Sequence, residues 1–360
     1  MRRPGNAGAP RYVPTLSTIP YVLPSLTSSA PAAPEAEPKG PSNLRLRVIW
    51  GALAAALLFG CTFGGPISFG LFFAAVQAVM LKEFYRIMRA SGYKPAFWIG
   101  IVASVLVFAW VHFTVGYEYY AKYFGWLQAG WTIYPPLSAL PQINDGDTIL
   151  LPSQLGIGFY QSLLFAHPLA FWASLVALLS VGLLIREIVL WPNNGQPITN
   201  VGGTIAGLCY VSLSMSLLNS LAFTKGMFAP RHVFLLIFLI WAADTGAYFA
   251  GKNFGKHKLA PSISPGKTWE GWAGGALLTL AVGWAAGYFV PDVPLGHRLV
   301  AAGVVAVFGP LGDLAESMLK RSAGVKDSGT FLPGHGGLLD RFDAFLLVLP
   351  VLALLQALAG

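Results

Sequence analysis

The sequence predicts an all-α polytopic membrane protein with about nine transmembrane helices, its amino terminus cytoplasmic and its carboxy terminus extracytoplasmic. Three observations predict it: a lipid-like composition, apolar stretches of span length recurring along the chain, and a one-sided distribution of basic residues. Of the 360 residues, 55% are hydrophobic and 11% charged, against roughly 25% charged in an ordinary soluble domain. Length is therefore measured in spans of about 20 apolar residues each. The formal charge of +8 is scattered between apolar segments and forms no single basic stripe, which argues against a nucleic-acid partner and for membrane orientation. Cys61 and Cys209 fall inside apolar segments, without the spacing of a disulfide framework or a zinc site.

Residues 1–43 hold nine prolines among Ala, Ser and Gly, a composition that neither forms a helix nor buries a core. They predict a disordered, Pro-rich cytoplasmic tail, and because Pro14, Pro20 and Pro24 break its apolar residues, no signal-peptide core forms. Residues 44–360 predict one multi-span membrane domain. Its apolar segments run approximately over 48–63, 66–81, 96–116, 165–185, 201–222, 232–250, 272–290, 299–316 and 344–359. The first, second and ninth are short, so they extend at their edges, thin the bilayer or sit partly inside the bundle. Gly64, Gly65 and Pro66 predict a tight hairpin between the first two.

With the amino terminus inside, all of the 23 Lys and Arg residues fall on the cytoplasmic side except Lys122, Lys225, Arg231 and Arg298. That is the asymmetry of the positive-inside rule. Residues 117–164, rich in Tyr, Trp and Pro, predict a long extracytoplasmic connection lying against headgroups. No internal repeat is evident, which weighs against an inverted-repeat transporter.

Within the predicted spans the carboxylates are Asp244, Asp313 and Glu316, all near cytoplasmic ends. Carboxylates at membrane depth are costly and usually functional; the plainer account is interfacial acids paired with nearby lysines. The cytoplasmic segments 251–271 and 317–343 carry Lys252, Lys256, Lys258, Lys267, Lys320, Arg321, Lys326 and Arg341, a set suited to polyphosphate or anionic headgroups. If the eighth span stays helical, Asp313, Glu316, Ser317 and Lys320 share one face at i, i+3, i+4 and i+7. Asp340 and Asp343 form a second i, i+3 pair. Aspartates beside lysines point to Mg²⁺ with phosphate, or alternatively to Asp–Lys ion pairs that close a loop. Between them the run Phe331–Leu338, with Gly334, Gly336 and Gly337, allows close backbone approach to a ligand. His335 is open to three roles: donor to a phosphate, titrating group, or partner of a loop carbonyl. No Walker loop, dinucleotide fingerprint, nucleophile triad or metalloprotease helix is present in its required context.

The stretch Ser317–Asp343 resembles the signature of the phosphatidate cytidylyltransferase (CDP-diacylglycerol synthase) family. The matching residues are Ser317, Lys320 and Arg321, then Lys326, Asp327 and Gly329, then Leu332-Pro333-Gly334-His335-Gly336-Gly337, and finally Asp340, Arg341 and Asp343. Upstream, Asp244-Thr-Gly-Ala-Tyr248 with Gly251, and Ser264-Pro265 with Lys267, Thr268, Glu270 and Gly271, are similar to further family stretches. These segments lie in the carboxy-terminal third, within a predicted catalytic region 232–343. The Pro-rich tail and the 117–164 connection look like additions to a compact member.

The resemblance implies a multi-pass inner-membrane enzyme of phospholipid biosynthesis, typically a homodimer with its active site facing the cytoplasm. It would convert CTP and phosphatidate to CDP-diacylglycerol and pyrophosphate with Mg²⁺, and with a monovalent cation such as K⁺ nearby. It implies metal ligation by Asp313 and Asp340, with Asp343, Asp244 and Glu316 as further ligands or close partners, and importance for Ser317 and Lys320. Arg321, Lys326, Asp327, His335 and Arg341 complete the expected catalytic set; Ser264, Lys267, Thr268, Glu270, Gly336 and Gly337 are expected to bind substrate. A CTP-dependent kinase of a lipid alcohol such as dolichol or phytol is the nearest rival. A transporter fits poorly, because the charges collect at helix ends and leave mid-span positions apolar.

Overall fold

A computed structural model describes residues 42–123, 168–331 and 336–358. The predicted tail over 1–43 therefore lies almost wholly outside the described residues, as does all of the 117–164 connection beyond Tyr123. Among the described residues, each predicted apolar segment falls largely on a helix. In order these are α1 (Ser42–Phe63), α2 (Pro66–Ala90), α3 (Phe97–Val115) with the short α4 (Tyr117–Tyr123), then α5 (Pro168–Val189) and α6 (Pro197–Ala222). A two-stranded ribbon follows, β1 (Phe223–Thr224) with β2 (Met227–Phe228), and leads into α7 (Pro230–Phe254). The hairpin β3 (Lys258–Ala260) with β4 (Ser264–Thr268) precedes α8 (Trp269–Ala285), α9 (Leu295–Ser322) and α10 (Leu339–Leu358).

Among the described residues, six helices are long and apolar enough to cross a membrane: α2, α3, α6, α7, α9 and α10. Helix α1 adds a shorter apolar stretch, Val48–Phe63. Of the segments that looked short, the second runs nine residues past its apolar end. Leu81, Phe84, Tyr85 and Met88 keep an apolar face at helical spacing there, while Lys82, Arg86 and Arg89 point outward. The first helix begins earlier than predicted, at Ser42, and the last at Leu339. The turn between α1 and α2 is the expected Gly-Gly-Pro hairpin. Gly65 adopts φ 120°, a conformation other residues rarely take, and Pro66 starts α2 where a missing N–H is harmless.

Helix α7 packs most extensively on α8, α8 on α9, and α9 on α10. This carboxy-terminal group meets α2, α3 and α6 in one apolar core containing Phe69, Phe73, Met80, Met215, Phe234 and Leu349. Outward faces carry exposed Leu71, Leu106, Val176, Leu277 and Leu358, surfaces that are stable only against lipid or another apolar partner.

Between α2, α3 and α6 runs a buried neutral polar ladder. Gln77 Nε2 donates to the carbonyl and hydroxyl oxygens of Ser104, each at 2.9 Å. Ser212 Oγ donates to Ser104 Oγ at 2.8 Å, and Ser216 Oγ reaches Gln77 Oε1 at 3.3 Å. Nearer the other end, His112 Nδ1 lies 2.7 Å from Asn219 Oδ1 and Nε2 lies 2.6 Å from the Tyr120 hydroxyl. Within α6, Leu208–Leu213 forms a π-helical turn, a local widening that often accompanies function.

Candidate active site

The last turns of α9 carry the predicted face intact. Ser317 Oγ donates to Asp313 Oδ1 at 3.2 Å, and Lys320 Nζ donates to Glu316 Oε2 at 2.6 Å. Pro310 lies in the middle of this helix and has no N–H to offer Ala306, whose carbonyl is satisfied by Trp272 Nε1 at 2.9 Å. The proline thereby pins α8 to α9. Two residues on, Gly312 faces the start of α10 so closely that a Cβ there would stand 2.6 Å from the Asp343 carbonyl. Only glycine permits that approach, and the approach brings Asp343 beside Asp313.

Carboxylate oxygens of Asp313, Glu316 and Asp343 all lie within 4.8 Å of one another. Lys267, carried on β4, meets Asp313 Oδ2 at 2.6 Å and also donates to the Pro310 carbonyl at 3.2 Å. A cavity of about 460 Å³ opens on this group, lined by Asp244, Tyr248, Lys252, Lys267, Thr268 and Asp313 among others. Glu316 Oε1 is buried without a hydrogen-bond partner. A buried carboxylate oxygen is costly to leave unpaired, so an orphaned oxygen, among the described residues, on one of three clustered acids fits a divalent cation that prefers carboxylate ligands.

Asp340 borders that trio, joined to Glu316 through Lys320. It takes Lys320 Nζ at 2.6 Å and the backbone amides of Ser328 and Gly337 at 3.2 and 2.9 Å. Lys320 is therefore held between two carboxylates, Glu316 and Asp340. Thr268 caps α8, its hydroxyl accepting from Gly271 N at 3.1 Å. Glu270 accepts from the amides of Lys256 and His257 and from His257 Nδ1 at 2.6 Å, closing the β3–β4 hairpin against α8. The hydrogen bond from its own backbone amide, together with these bonds, holds its carboxyl at about 2, below the ordinary glutamate value.

Ser264 is half-buried in β4 opposite Ala260. Arg321, Lys326, Asp327 and Arg341 are exposed, Arg321 donating to the Val325 carbonyl at 3.4 Å. Gly336 takes φ 83°. His335, with residues 332–334, lies outside the described residues.

Two residues that sequence reasoning passed over belong to this region. Glu83, on α2, is 4% exposed; its Oε2 accepts from Leu339 N at 2.8 Å and Ser328 Oγ at 3.2 Å, tying both ends of the signature loop to α2. A Cβ on Gly329 or Gly337 would stand 2.2 or 2.5 Å from this carboxylate, which explains those two glycines by contact. Tyr210, on the π turn of α6, has a buried hydroxyl with no partner and feels the charges of Asp343 and Glu316. Neither residue shows a local motif. Glu83 sits in what looked like a cytoplasmic loop, and a π turn leaves no periodic signal.

A family model described as "Cytidylyltransferase family" matches residues 45–359. The chain belongs to the cytidylyltransferase family. Among its relatives, the phosphatidate cytidylyltransferase of Staphylococcus aureus is 47% identical over 152 residues, covering 42% of this chain and 58% of that protein. The Staphylococcus haemolyticus protein of the same name is 45% identical over the same shares, and that of Bacillus subtilis 41% identical over 184 residues, 51% of this chain and 68% of its own. Against the staphylococcal relatives, then, this cytidylyltransferase-family chain matches somewhat over half their length.

Proposed function

We infer that the protein transfers the cytidylyl group of CTP to phosphatidate, releasing pyrophosphate. The observation that carries this reading is the assembly of the signature itself. Ser317, Lys320 and Asp340 interlock, beside three carboxylates of which Asp313 is paired with Lys267 and Glu316 with Lys320. Membership of the cytidylyltransferase family and the activity for which its relatives are named support the substrate classes.

A phosphate oxygen of phosphatidate attacks the α-phosphorus of CTP; the new P–O bond forms as the bond to the β-phosphate oxygen breaks, and pyrophosphate leaves with that electron pair. A phosphomonoester has its second pKa near 6, so the attacking oxygen is already largely ionised at neutral pH. No strong protein base is needed, and catalysis consists of positioning and of neutralising repelling anions. Asp313, Glu316 and Asp343, with Asp244 across the cavity, would hold Mg²⁺, which supplies charge neutralisation to phosphate oxygens. Lys267 would turn from Asp313 to a substrate phosphate. Lys320, locked by two acids, keeps Glu316 and Asp340 in place, while Arg321, Lys326 and Arg341 offer exposed charges to the polyphosphate. The same reading has nine spans, an inner membrane, and the site facing the cytoplasm, in accord with the basic residues at that end; the homodimer and a nearby K⁺ follow from the family resemblance.

Label transfer tests the reaction. CTP labelled at the α-phosphate should pass label to the lipid in a phosphatidate-dependent, Mg²⁺-dependent reaction. Lipid label arising from the γ-position would instead establish a kinase.

A further inference from the structure

A second cavity, of about 540 Å³, lies at the same end of the bundle but shares no lining residue with the first. Its walls include Lys82, Arg86 and Arg89 of α2, Phe97 and Trp98 at the start of α3, and Phe331 of the signature loop. The three cations stand at i, i+4 and i+7, so they share one helical face and repel one another. Among the described residues, none of the three forms an ion pair with a carboxylate. The acid beside them, Glu83, is already engaged by Ser328 and Leu339. Arg89 is steadied over the Phe97 ring, 5.1 Å from its centroid, and Trp98 and Phe331 are 75% and 55% exposed.

Three cations against the one cavity-lining carboxylate, Glu83, are stabilised by a bound anion. Large exposed aromatics at the charged end of an apolar helix are what the headgroup layer covers, and basic pockets between membrane helices accept phosphate-bearing headgroups. A free nucleotide or inorganic phosphate would use the cations and leave the aromatics wet. We propose that this cavity is a binding site for the headgroup of an anionic phospholipid, separate from the catalytic cavity. Its lining includes Gly329, Thr330 and Phe331, so an occupant rests against the loop that Glu83 and Asp340 hold. The inference depends on the membrane character of the chain and not on the reaction assigned to it.

The test is native mass spectrometry of the full-length chain in neutral detergent, titrated with phosphatidylglycerol or phosphatidylcholine. The wild type should retain one phosphatidylglycerol tightly and no phosphatidylcholine. The variant Lys82→Gln/Arg86→Gln/Arg89→Gln should bind it weaker on the order of a hundredfold, about fivefold per cation removed. These residues are exposed, so folding should be preserved, which a thermal melt would verify. Lys267→Gln, in the other cavity, should leave the retained lipid unchanged. Equal retention by the triple variant, loss of the lipid in Lys267→Gln, or displacement by equimolar inorganic phosphate would each overturn the proposal. All of these readouts are independent of CTP turnover, so a failure here and a failure of the cytidylyl-transfer reading are distinguishable.

Discussion

The neutral ladder between α2, α3 and α6 closes on itself, whereas the charged cluster between α9 and α10 leaves bonds open. Gln77, Ser104, Ser212 and Ser216 satisfy one another in the apolar interior, as do His112, Asn219 and Tyr120. At the far ends of α9 and α10 three carboxylates gather, and one oxygen, Glu316 Oε1, is buried with no donor. A satisfied network fixes helix positions and asks for nothing further. Like charges brought together with an orphaned oxygen cost stability, and a fold retains such a cost where a ligand relieves it. The two regions should therefore answer mutation in opposite currencies, one in stability and the other in turnover.

Lys320→Met is the harshest break. It strips the shared cation from Glu316 and Asp340, whose side chains are 1% and 13% exposed. Leaving buried acids unpaired costs about 3–5 kcal/mol, to be read as a large drop in melting temperature in detergent along with lost turnover. Asp313→Asn and Asp343→Asn should each lower CTP-dependent pyrophosphate release on the order of a hundred- to a thousandfold, the scale of losing one electrostatic contact to a transition state. They should leave the melting temperature unchanged or raised, because they relieve repulsion in the cluster.

Glu83→Gln lies between the two kinds of region. The amide oxygen can still accept from both Leu339 N and Ser328 Oγ but without the negative charge, a loss of about 1–3 kcal/mol in a buried charge-assisted pair. Turnover should fall with the apparent affinity for CTP, and Glu83→Ala should be worse than Glu83→Gln. Ser104→Ala, inside the ladder, should cost about 1 kcal/mol of stability and leave turnover per folded molecule intact. A tenfold loss of turnover in Ser104→Ala would erase the distinction between the two regions.

The smallest expected effect lies outside the spans. Asp292 accepts from His232 Nε2 at 2.6 Å, a bond that holds its carboxyl below the ordinary value of 3.8. A depressed folded-state value contributes stability above pH 3.8 that is lost as pH falls through the lower folded value. Since Asp292 is well exposed, Asp292→Asn should cost less than about 1 kcal/mol at neutral pH. The difference from wild type should shrink below pH 3.8 and disappear under more acidic conditions, as followed by thermal melts across pH.

Much of the charged region was legible in the sequence. Acids and a lysine at i, i+3, i+4 and i+7 on an apolar helix predicted the shared face of Asp313, Glu316, Ser317 and Lys320. The partners across helices were not legible, since local periodicity carries no information on which face meets which. Local spacing did not show that Lys320 would bridge Glu316 to Asp340, or that Asp343 would gather with Asp313 and Glu316. Glu83 contacts Ser328 from 245 residues away, and it was hidden because α2 continues past the point where its apolar run ends. The ladder escaped notice for a different reason: Ser and Gln inside apolar segments carry no charge that would mark them out.

The central claim is that Asp313, Glu316 and Asp343 form a cation site. The direct measurement is Mn²⁺ binding to the full-length protein, followed by electron paramagnetic resonance without nucleotide and then with CTP. The account predicts a bound Mn²⁺ signal that Mg²⁺ competes away, that Asp313→Asn and Asp343→Asn abolish, and that Ser104→Ala leaves unchanged. Undiminished Mn²⁺ binding in both aspartate variants would contradict it.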